Sequence, residues 1–374
     1  MRATRGGGEA SHWYVPTVWH TLTFHALWRL LRVHGFRIGL SRLFLVASVT
    51  FATIANSLLG LLQSAIYGSR LRAVNIQAPV FVLGHWRSGT THLHELLALD
   101  DRLAFPTTYE VFAPHHCLLT ERIYRKLFAW LLPRKRAMDD MAVGFDRPQE
   151  DEFALVALGA PSPMWSLAYP GETIGQAYLS LRDVPNRERE HWADTLRKFL
   201  RLVTYRHPKR SLVLKSPAHT ARIEILSRMF PDARFIHIVR DPCAVFASTV
   251  HLWRKAMAVN ALVPFDDFDV EKYVLETLPK MYERFAEARD ALASGHFHQM
   301  RYEDLVQNPL ATLEECYKAT EMDDFDMVRA WPIMWRACAN SASTNTRFRR
   351  KRRLHYGMHG ARFSRPGVTR FDLI

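Results

Sequence analysis

The sequence predicts an α/β fold in which helices cover both faces of a central parallel sheet. Residues 79–99 and 233–249 each read as a buried strand, then a turn, then a helix, and residues 211–215 read as a further buried strand. Apolar runs rich in β-branched residues are typical of strands buried on both faces. With 374 residues, 48% of them hydrophobic and 23% charged, the chain has an ordinary globular composition. Neither a linker nor a repeat divides it, so we expect one α/β domain with additions.

The first of these stretches contains a turn of the phosphate-binding kind. Residues 84–91 read GHWRSGTT, so two glycines bound a turn that opens onto a helix. Free N–H groups and the dipole at a helix start attract anions, and glycine lets the backbone approach them closely. The spacing differs at one position from the nucleotide loop G-x-x-x-x-G-K-[ST], because Thr90 replaces the lysine and the positive charge lies at Arg87. We therefore expect a P-loop-like anion site that is poorly equipped for kinase chemistry. The alternative is a basic turn that binds nothing.

At Arg87, Ser88, Gly89, Thr90 and Thr91 the chain resembles the sulfotransferases that use 3′-phosphoadenosine 5′-phosphosulfate (PAPS), whose 5′-phosphosulfate loop reads [KR]-S-G-T-T. The resemblance covers about residues 78–310 and is closer to the tyrosylprotein and bacterial types than to the cytosolic type. It implies a P-loop-NTPase-like three-layer fold, PAPS as co-substrate, and in-line transfer of a sulfuryl group to a hydroxyl or amine. This reaction requires no metal, and no metal-ligand cluster is evident in the sequence.

A second motif resembles the 3′-phosphate site of the same family. Arg240 follows the predicted strand over 233–239, Asp241 and Pro242 favour a helix start, and Ser248 lies eight residues after the arginine. The resemblance implies that Arg240 and Ser248 bind the 3′-phosphate. The later segment Y-E-D-L also resembles the family and places Tyr302 near the nucleotide, although a packed strand tyrosine is an equal alternative.

Lys215 stands at the carboxyl end of a predicted strand, where ligands of open α/β sheets bind. An ammonium group at this position would stabilise the charge that develops on the leaving oxygen. Members of the family carry a lysine at the end of this strand, and cytosolic members carry a catalytic histidine two residues later. Here that position is Pro217 and the histidine comes four residues later, so His219 is either a base or a helix-start residue.

The resemblance also assigns a role to Glu110, which occupies the place of the general base of tyrosylprotein-type members. Residues 105–112 read as a short extended segment and turn that returns beside the first strand. Apolar neighbours such as Tyr109 and Val111 would raise the pKa of the Glu110 carboxyl, as a base requires. A surface or capping glutamate is the alternative.

Three further segments surround these motifs. Acids at 150–152 are interpreted as the first turn of a helix, where the dipole favours them. Residues 160–185, rich in proline and glycine, suit a loop over the acceptor site. Residues 119–145 predict a basic amphipathic helix that is either solvated or in contact with anionic lipid.

The N-terminal extension is predicted to span residues 1–77, the catalytic domain 78–320 and a basic C-terminal extension 321–374. Residues 43–69 carry no charge, which is long enough to cross a bilayer. A weakly polar stripe runs along this segment at helical spacing: Thr50, Thr53, Ser57 and Ser64. The opposite face is apolar: Phe44, Phe51, Leu58, Leu62 and Ile66. Arginines flank both ends: Arg29, Arg32, Arg37, Arg42, Arg70 and Arg72. We favour a helix lying on an anionic membrane, and leave open a transmembrane helix over 43–66 and a purely structural one.

Net charge is +13, which suits an anionic cofactor, an anionic membrane or nucleic acid. Four scattered cysteines form no C-x-x-C pair, so we expect thiols of a reducing, cytoplasmic compartment. The expected function is a PAPS-dependent sulfotransferase whose acceptor, a glycan, a lipid or another small molecule, no motif defines. We expect no nucleic-acid partner. Two alternatives stay open: a nucleotide-dependent kinase, and a non-enzymatic basic protein that binds membranes or nucleic acid.

Overall fold

The computed structural model describes residues 17–128, 144–172, 174–265 and 268–322. The arginine-rich run over 347–353 and most of the predicted C-terminal extension lie outside these residues, as does the second half of the basic helix predicted over 119–145.

A five-stranded parallel sheet forms the centre of the described part of the chain. Its strands lie in the order β2-β3-β1-β4-β5, so β1 is flanked by β3 on one side and β4 on the other. The chain therefore builds one half of the sheet first and then crosses to the other half. Ligands of open α/β sheets bind at such a reversal, at the carboxyl ends of the strands. The strands are β1 Val80–Leu83, β2 Leu103–Ala104, β3 Ser211–Lys215, β4 Arg234–Val239 and β5 Phe297–Arg301.

Thirteen α-helices accompany the sheet in the described residues. They are α1 Phe24–Val33, α2 Leu43–Arg72, α3 Thr90–Leu97, α4 Thr108–Phe112, α5 Cys117–Phe128, α6 Asp151–Ala157, α7 Ile174–Ala177, α8 Asn186–Arg206, α9 Ile223–Met229, α10 Pro242–Asn260, α11 Val270–Arg289, α12 Tyr302–Gln307 and α13 Pro309–Ala319. Short 3₁₀ turns occur at Val18–Thr21, Leu40–Arg42, Pro163–Leu167 and Pro217–Ala221.

The sheet is buried as the apolar runs predict. All four side chains of β1 are buried, as are the central residues of β3 and β4. Phe81 stacks on Phe235 across the β1–β4 pair, with ring centroids 5.5 Å apart. The same core continues into the N-terminal segment through Trp19, Leu27 and Leu30. The predicted α/β fold with a parallel sheet and flanking helices is confirmed.

The prediction of an extended segment over residues 105–112 is wrong, because residues 108–112 form α4. A two-residue strand, β2, precedes it and pairs with β3 rather than with β1. From Thr107 the chain turns into α4, because the Thr107 hydroxyl accepts the Glu110 N–H and the Glu110 carboxylate accepts the Thr107 N–H. This reciprocal cap favours a helix start over a strand.

Candidate active site

The turn after β1 adopts a backbone that depends on its glycines. Gly84 has a φ of +144° and Gly89 a φ of +109°, and Arg87 between them has a φ of +70°. A Cβ on Gly84 would lie 2.7 Å from the Ile238 carbonyl oxygen, so only glycine fits beside β4. The Gly84 N–H donates to the Thr220 hydroxyl at 2.8 Å, which ties this turn to the segment after β3.

The start of α3 is left open for an anion. Gly89 is the N-cap residue and has no capping side chain, so the N–H groups of the first turn, beginning at Thr90 and Thr91, have no intrahelical acceptor. The Ser88 hydroxyl is buried, and within the described residues its oxygen has no hydrogen-bond partner. A buried hydroxyl without a partner is costly unless a ligand completes it. These donors suit a phosphate or sulfate oxygen.

The second motif lies against this turn. The Arg87 Nε donates to the Ser248 hydroxyl at 2.8 Å, and the Arg240 Nη1 donates to the Arg87 carbonyl oxygen at 3.1 Å. The Arg240 guanidinium also lies 4.5 Å from the centre of the Tyr302 ring. Tyr302 packs directly on Gly89, where a Cβ would come within 2.2 Å of its Cδ2. Arg87 thus forms one cluster with Arg240 and Ser248, which lie 153 and 161 positions away in the chain, beside the start of α3.

Tyr302 occupies the first position of α12 rather than the end of a strand. Its ring is half-buried between Gly89 and Arg240. From the sequence we expected this tyrosine either to contact the nucleotide or to pack in a strand. In the structure it also contacts the Arg240 guanidinium.

Lys215 ends β3 and is buried. Its Nζ donates to the Glu150 Oε1 at 2.6 Å, and the Glu150 side chain is 16% exposed. This pair stands at the carboxyl edge of the sheet, beside the segment that contacts the phosphate-binding turn. A buried ammonium at this edge needs such a partner, because an unpaired buried charge costs several kcal/mol, on the order of 3–5.

The two acids that follow Glu150 bind the two basic residues that follow Lys215. The Asp151 Oδ2 lies 2.7 Å from the His219 Nε2, and both side chains are fully buried. The Glu152 carboxylate accepts from both terminal nitrogens of Arg222, at 2.7 and 3.2 Å. Three consecutive carboxylates thus fix the segment after β3. The expectation that these acids open a helix is confirmed, since Asp151 and Glu152 lie in the first turn of α6, but helix capping does not account for these partners.

The environment of Asp151 determines which ring nitrogen of His219 donates to it. Burial alone would raise the pKa of the Asp151 carboxyl, but the nearby His219 ring and the Arg222 guanidinium outweigh it and hold that pKa below its usual value. An ionised Asp151 accepts a hydrogen bond, so the Nε2 of His219 carries the hydrogen that it donates to the Asp151 Oδ2. The other ring nitrogen, Nδ1, is buried with no partner among the described residues.

Glu110 lies apart from these clusters. Its side chain is fully buried, one oxygen accepts the Thr107 N–H at 2.7 Å, and the other lies 3.0 Å from the Arg206 Nη1. Besides the apolar neighbours expected from the sequence, the Glu110 carboxylate therefore has a basic partner, Arg206. Its partners come from α4 and from the end of α8, and none belongs to the phosphate-binding turn.

The comparisons with known proteins agree with this geometry. The model of the Sulfotransferase family matches residues 79–326. The chain is 39% identical over 332 residues to the omega-hydroxy-beta-dihydromenaquinone-9 sulfotransferase Stf3 of Mycobacterium bovis and equally to that of Mycobacterium tuberculosis, which covers 87% of this chain and 84% of the relative.

Two solved structures show the same fold. They are sulfotransferase STF1 from Mycobacterium tuberculosis, with a TM-score of 0.64, 22% identity and 87% of each chain covered, and sulfotransferase STF9 from Mycobacterium avium, with a TM-score of 0.62, 18% identity and 86% and 88% covered. The family model spans the sheet and both motifs, and the likeness to Stf3 extends over most of both chains. On these grounds the chain belongs to the sulfotransferase family and is an enzyme of the transferase class.

Proposed function

We propose that this protein transfers a sulfuryl group from PAPS to a hydroxyl group on a long apolar acceptor. One observation supports the donor above all others: the Arg87–Ser248 hydrogen bond and the Arg240–Tyr302 contact lie beside the uncapped start of α3. A nucleotide with phosphates at both its 5′ and 3′ positions needs two anion sites, and this cluster offers the start of α3 with Arg87 for one and Arg240 with Ser248 for the other.

In the proposed reaction the acceptor oxygen forms a bond to sulfur while the bond between sulfur and the phosphate oxygen breaks. The products are a sulfate ester, 3′-phosphoadenosine 5′-phosphate (PAP) and the proton of the acceptor hydroxyl. Arg87, Ser88 and the first turn of α3 bind the 5′-phosphosulfate, and Arg240 and Ser248 bind the 3′-phosphate. Lys215 stabilises the charge on the leaving oxygen.

Two carboxylates are candidates for the group that accepts the proton of the acceptor hydroxyl. Glu110 is the residue that the family resemblance favours, but its oxygens are bound by the Thr107 N–H and Arg206. Glu150 is partly exposed and touches Lys215, which supports a position for it beside the proposed leaving oxygen. We assign the role of proton acceptor to Glu150. Glu110 then stabilises the start of α4, and His219 has a structural role in which Asp151 positions its ring.

The apolar acceptor is inferred from the relatives and from the surface of this chain. The named substrate of Stf3 is a hydroxylated menaquinone, which is an isoprenoid lipid. The N-terminal helices of this chain expose many large apolar side chains. An alcohol at the end of an isoprenoid or alkyl chain is therefore the acceptor class that we propose, rather than a glycan.

Calorimetric titration with PAP and with ADP tests the donor. We expect tight binding of PAP, weak binding of ADP, and a loss of about 1.5–3 kcal/mol in PAP binding for Arg240→Ala, as for a hydrogen bond to a charged group. Arg228→Ala is the matched control, because this arginine is 74% exposed on α9 and pairs with Glu224 of the same helix. Equal affinity for ADP and PAP would instead favour a nucleotide-dependent kinase, and no binding of either would leave a non-enzymatic basic protein.

Activity toward a panel of hydroxylated isoprenoids tests the acceptor and the catalytic groups. Lys215→Met should lower kcat about 10²–10³-fold, as for the loss of one group that stabilises transition-state charge. Glu150→Gln should lower kcat about 10²–10⁴-fold, as for a lost proton acceptor, and should leave PAP binding nearly unchanged. If Glu110→Gln lowered kcat more than Glu150→Gln and kept a native unfolding profile, Glu110 would be the proton acceptor instead.

A further inference from the structure

Large apolar side chains are exposed on one part of the described surface. Seventeen such side chains are exposed in the described residues, and thirteen of them lie between Phe24 and Ile66. Three more, Ile123, Tyr124 and Leu127, lie on α5, which packs beside α2, and the last is Leu275 on α11. Since isolated apolar residues scatter over ordinary protein surfaces, this concentration marks a contact surface.

The exposed side chains of α2 share one face of the helix. Their spacing follows the helical repeat, and each is at least 45% exposed: Leu43, Phe44, Phe51, Ile54, Leu58, Leu61, Leu62 and Ile66. We call these residues, together with Phe24, Trp28, Phe36 and Leu40, the apolar face. It reverses the usual amphipathic arrangement, because apolar side chains point outward.

The opposite side of α2 is bound to the rest of the protein along its length. Near the start, the Ser48 hydroxyl contacts the His20 ring at 3.2 Å. In the middle, Asn56 donates to two backbone carbonyls and the Ser57 hydroxyl accepts the Phe24 N–H at 2.8 Å. Further on, the buried Gln63 amide donates to the Pro114 carbonyl and accepts the Leu118 N–H. Within the polar stripe expected from the sequence, Thr53 is buried and Ser57 bonds to the start of α1, whereas Ser64 is exposed, so only part of the stripe faces the protein.

This attachment bears on whether α2 crosses a membrane. The segment Leu40–Arg72 is long and apolar enough to do so, and only 11% of its apolar window is buried. A crossing helix, however, would place its partners inside the hydrocarbon core, which is about 30 Å thick. Those partners include polar backbone and the ring of His20, which hydrocarbon would not solvate. The helix is therefore built to lie along a surface.

The segment that carries the apolar face has charges of one sign, although Arg37 pairs with Glu172 from another part of the chain. Residues 10–94 contain no aspartate or glutamate, whereas arginines stand at both ends of α2. Arg32, Arg37, Arg70 and Arg72 are exposed. Basic residues that border an apolar face suit the negative headgroups of a membrane.

We propose that the apolar face docks this enzyme in the plane of an anionic lipid bilayer, with α2 lying in the headgroup–acyl boundary and its arginines on the headgroups. The proposal goes beyond the proposed function, because docking requires neither the donor nor any particular acceptor. It also explains how a chain with a soluble type of core reaches an acceptor that stays in lipid. The first strand begins eight residues after α2 ends, so the bilayer lies close to the active site.

A second copy of the chain is a weaker occupant of the same face. In a two-fold symmetric dimer the same patch meets itself. The arginines at the ends of α2 would then approach a segment that offers no carboxylate to pair with them. An anionic lipid surface meets both the apolar and the basic parts of the face.

The test is flotation of the full chain with vesicles of phosphatidylcholine alone and with added phosphatidylglycerol, after dilution from mild detergent. We expect binding that grows with the anionic fraction and weakens with salt. Phe51→Glu with Leu58→Glu should weaken vesicle binding on the order of 100-fold, since two large apolar side chains lose their burial. Leu275→Glu is the matched control, because Leu275 is 59% exposed on α11, away from the apolar face.

The readouts separate the outcomes. PAP affinity measured on each variant reports folding and donor binding, so a failure of docking is distinguished from a failure of the proposed function. Extraction from vesicles at alkaline pH would support docking in the plane. Resistance to such extraction, with residues 1–42 protected from protease inside the vesicle, would show a crossing helix and overturn the proposal. A stable dimer that ignores vesicles, or a monomer that ignores them, would overturn it as well.

Discussion

Gly89→Ala tests whether the contact between Tyr302 and the phosphate-binding turn holds the donor site together. Gly89 has a φ of +109°, and a Cβ at this position would lie 2.2 Å from the Tyr302 Cδ2. The ring must therefore move, and with it the surface on which the Arg240 guanidinium lies at 4.5 Å. The substitution changes no charge and removes no hydrogen-bonding group.

The expected cost has two parts. An alanine forced into this backbone conformation costs about 1–3 kcal/mol of stability. Displacement of the ring removes a contact with Arg240 worth about 0.5–2 kcal/mol. Because the guanidinium then loses its fixed position, we expect PAP affinity to fall about tenfold or more, which corresponds to at least about 1.4 kcal/mol.

Gly35→Ala is the matched control for backbone strain. Gly35 has a φ of +63°, and nothing lies within 4 Å of the Cβ that alanine would add. This variant should lose about 1–2 kcal/mol of stability and no PAP affinity. Urea unfolding and calorimetric titration with PAP measure both quantities for both variants. Wild-type PAP affinity in Gly89→Ala, with a stability loss no larger than that of Gly35→Ala, would refute the role given to Tyr302.

Two further predictions concern buried groups. Glu152→Ala leaves the Arg222 guanidinium buried without its carboxylate, so we expect the free energy of unfolding to fall by about 3–5 kcal/mol, measured by urea denaturation. Burial lowers the pKa of His237 to about 4, against a usual value of 6.5 that the unfolded chain regains. The unfolded state therefore takes up the proton first as pH falls below 6.5, and His237 should account for about 2 kcal/mol of the stability lost between pH 7 and 5. His237→Asn should flatten that pH dependence.

Each of these two predictions has a control variant at an exposed residue. Glu224 pairs with Arg228 on the surface of α9, with side chains 52% and 74% exposed, so Glu224→Ala should change stability by less than about 1 kcal/mol. Similar losses for Glu152→Ala and Glu224→Ala would mean that Arg222 finds other solvation. His25 is exposed on α1, and His25→Asn should keep the wild-type pH dependence. If His237→Asn kept it too, other groups would carry the acid sensitivity.

The sequence alone predicted the turn after β1 and its place in the fold, because the conformation of that turn depends on neighbouring residues. A buried strand, glycines at positive φ and an uncapped helix start are properties of neighbouring residues, and they are visible in residues 79–91. The second motif was found for the same reason. Both motifs stand on a strand, a turn and a helix, and parallel strands bring such turns to one edge of the sheet.

Other features depended on contacts between distant parts of the chain. Glu150, Asp151 and Glu152 meet Lys215, His219 and Arg222 only because α6 packs against the end of β3, some 65–70 residues away in sequence. One signal did exist, since acids at successive positions faced basic residues at spacings of four and three. Charge order by itself, however, also fits a helix start and a solvated surface.

Two features could be decided only from the tertiary structure. The sequence did not show whether Glu110 is a base or a capping residue, because a buried carboxylate serves either role and its partner Arg206 comes from another helix. In α2 the periodicity divided the helix into a polar and an apolar face, but could not say which face meets the protein. The hydrogen bonds of Asn56, Ser57 and Gln63 decide it, because buried polar groups need protein partners, and so the apolar face points outward.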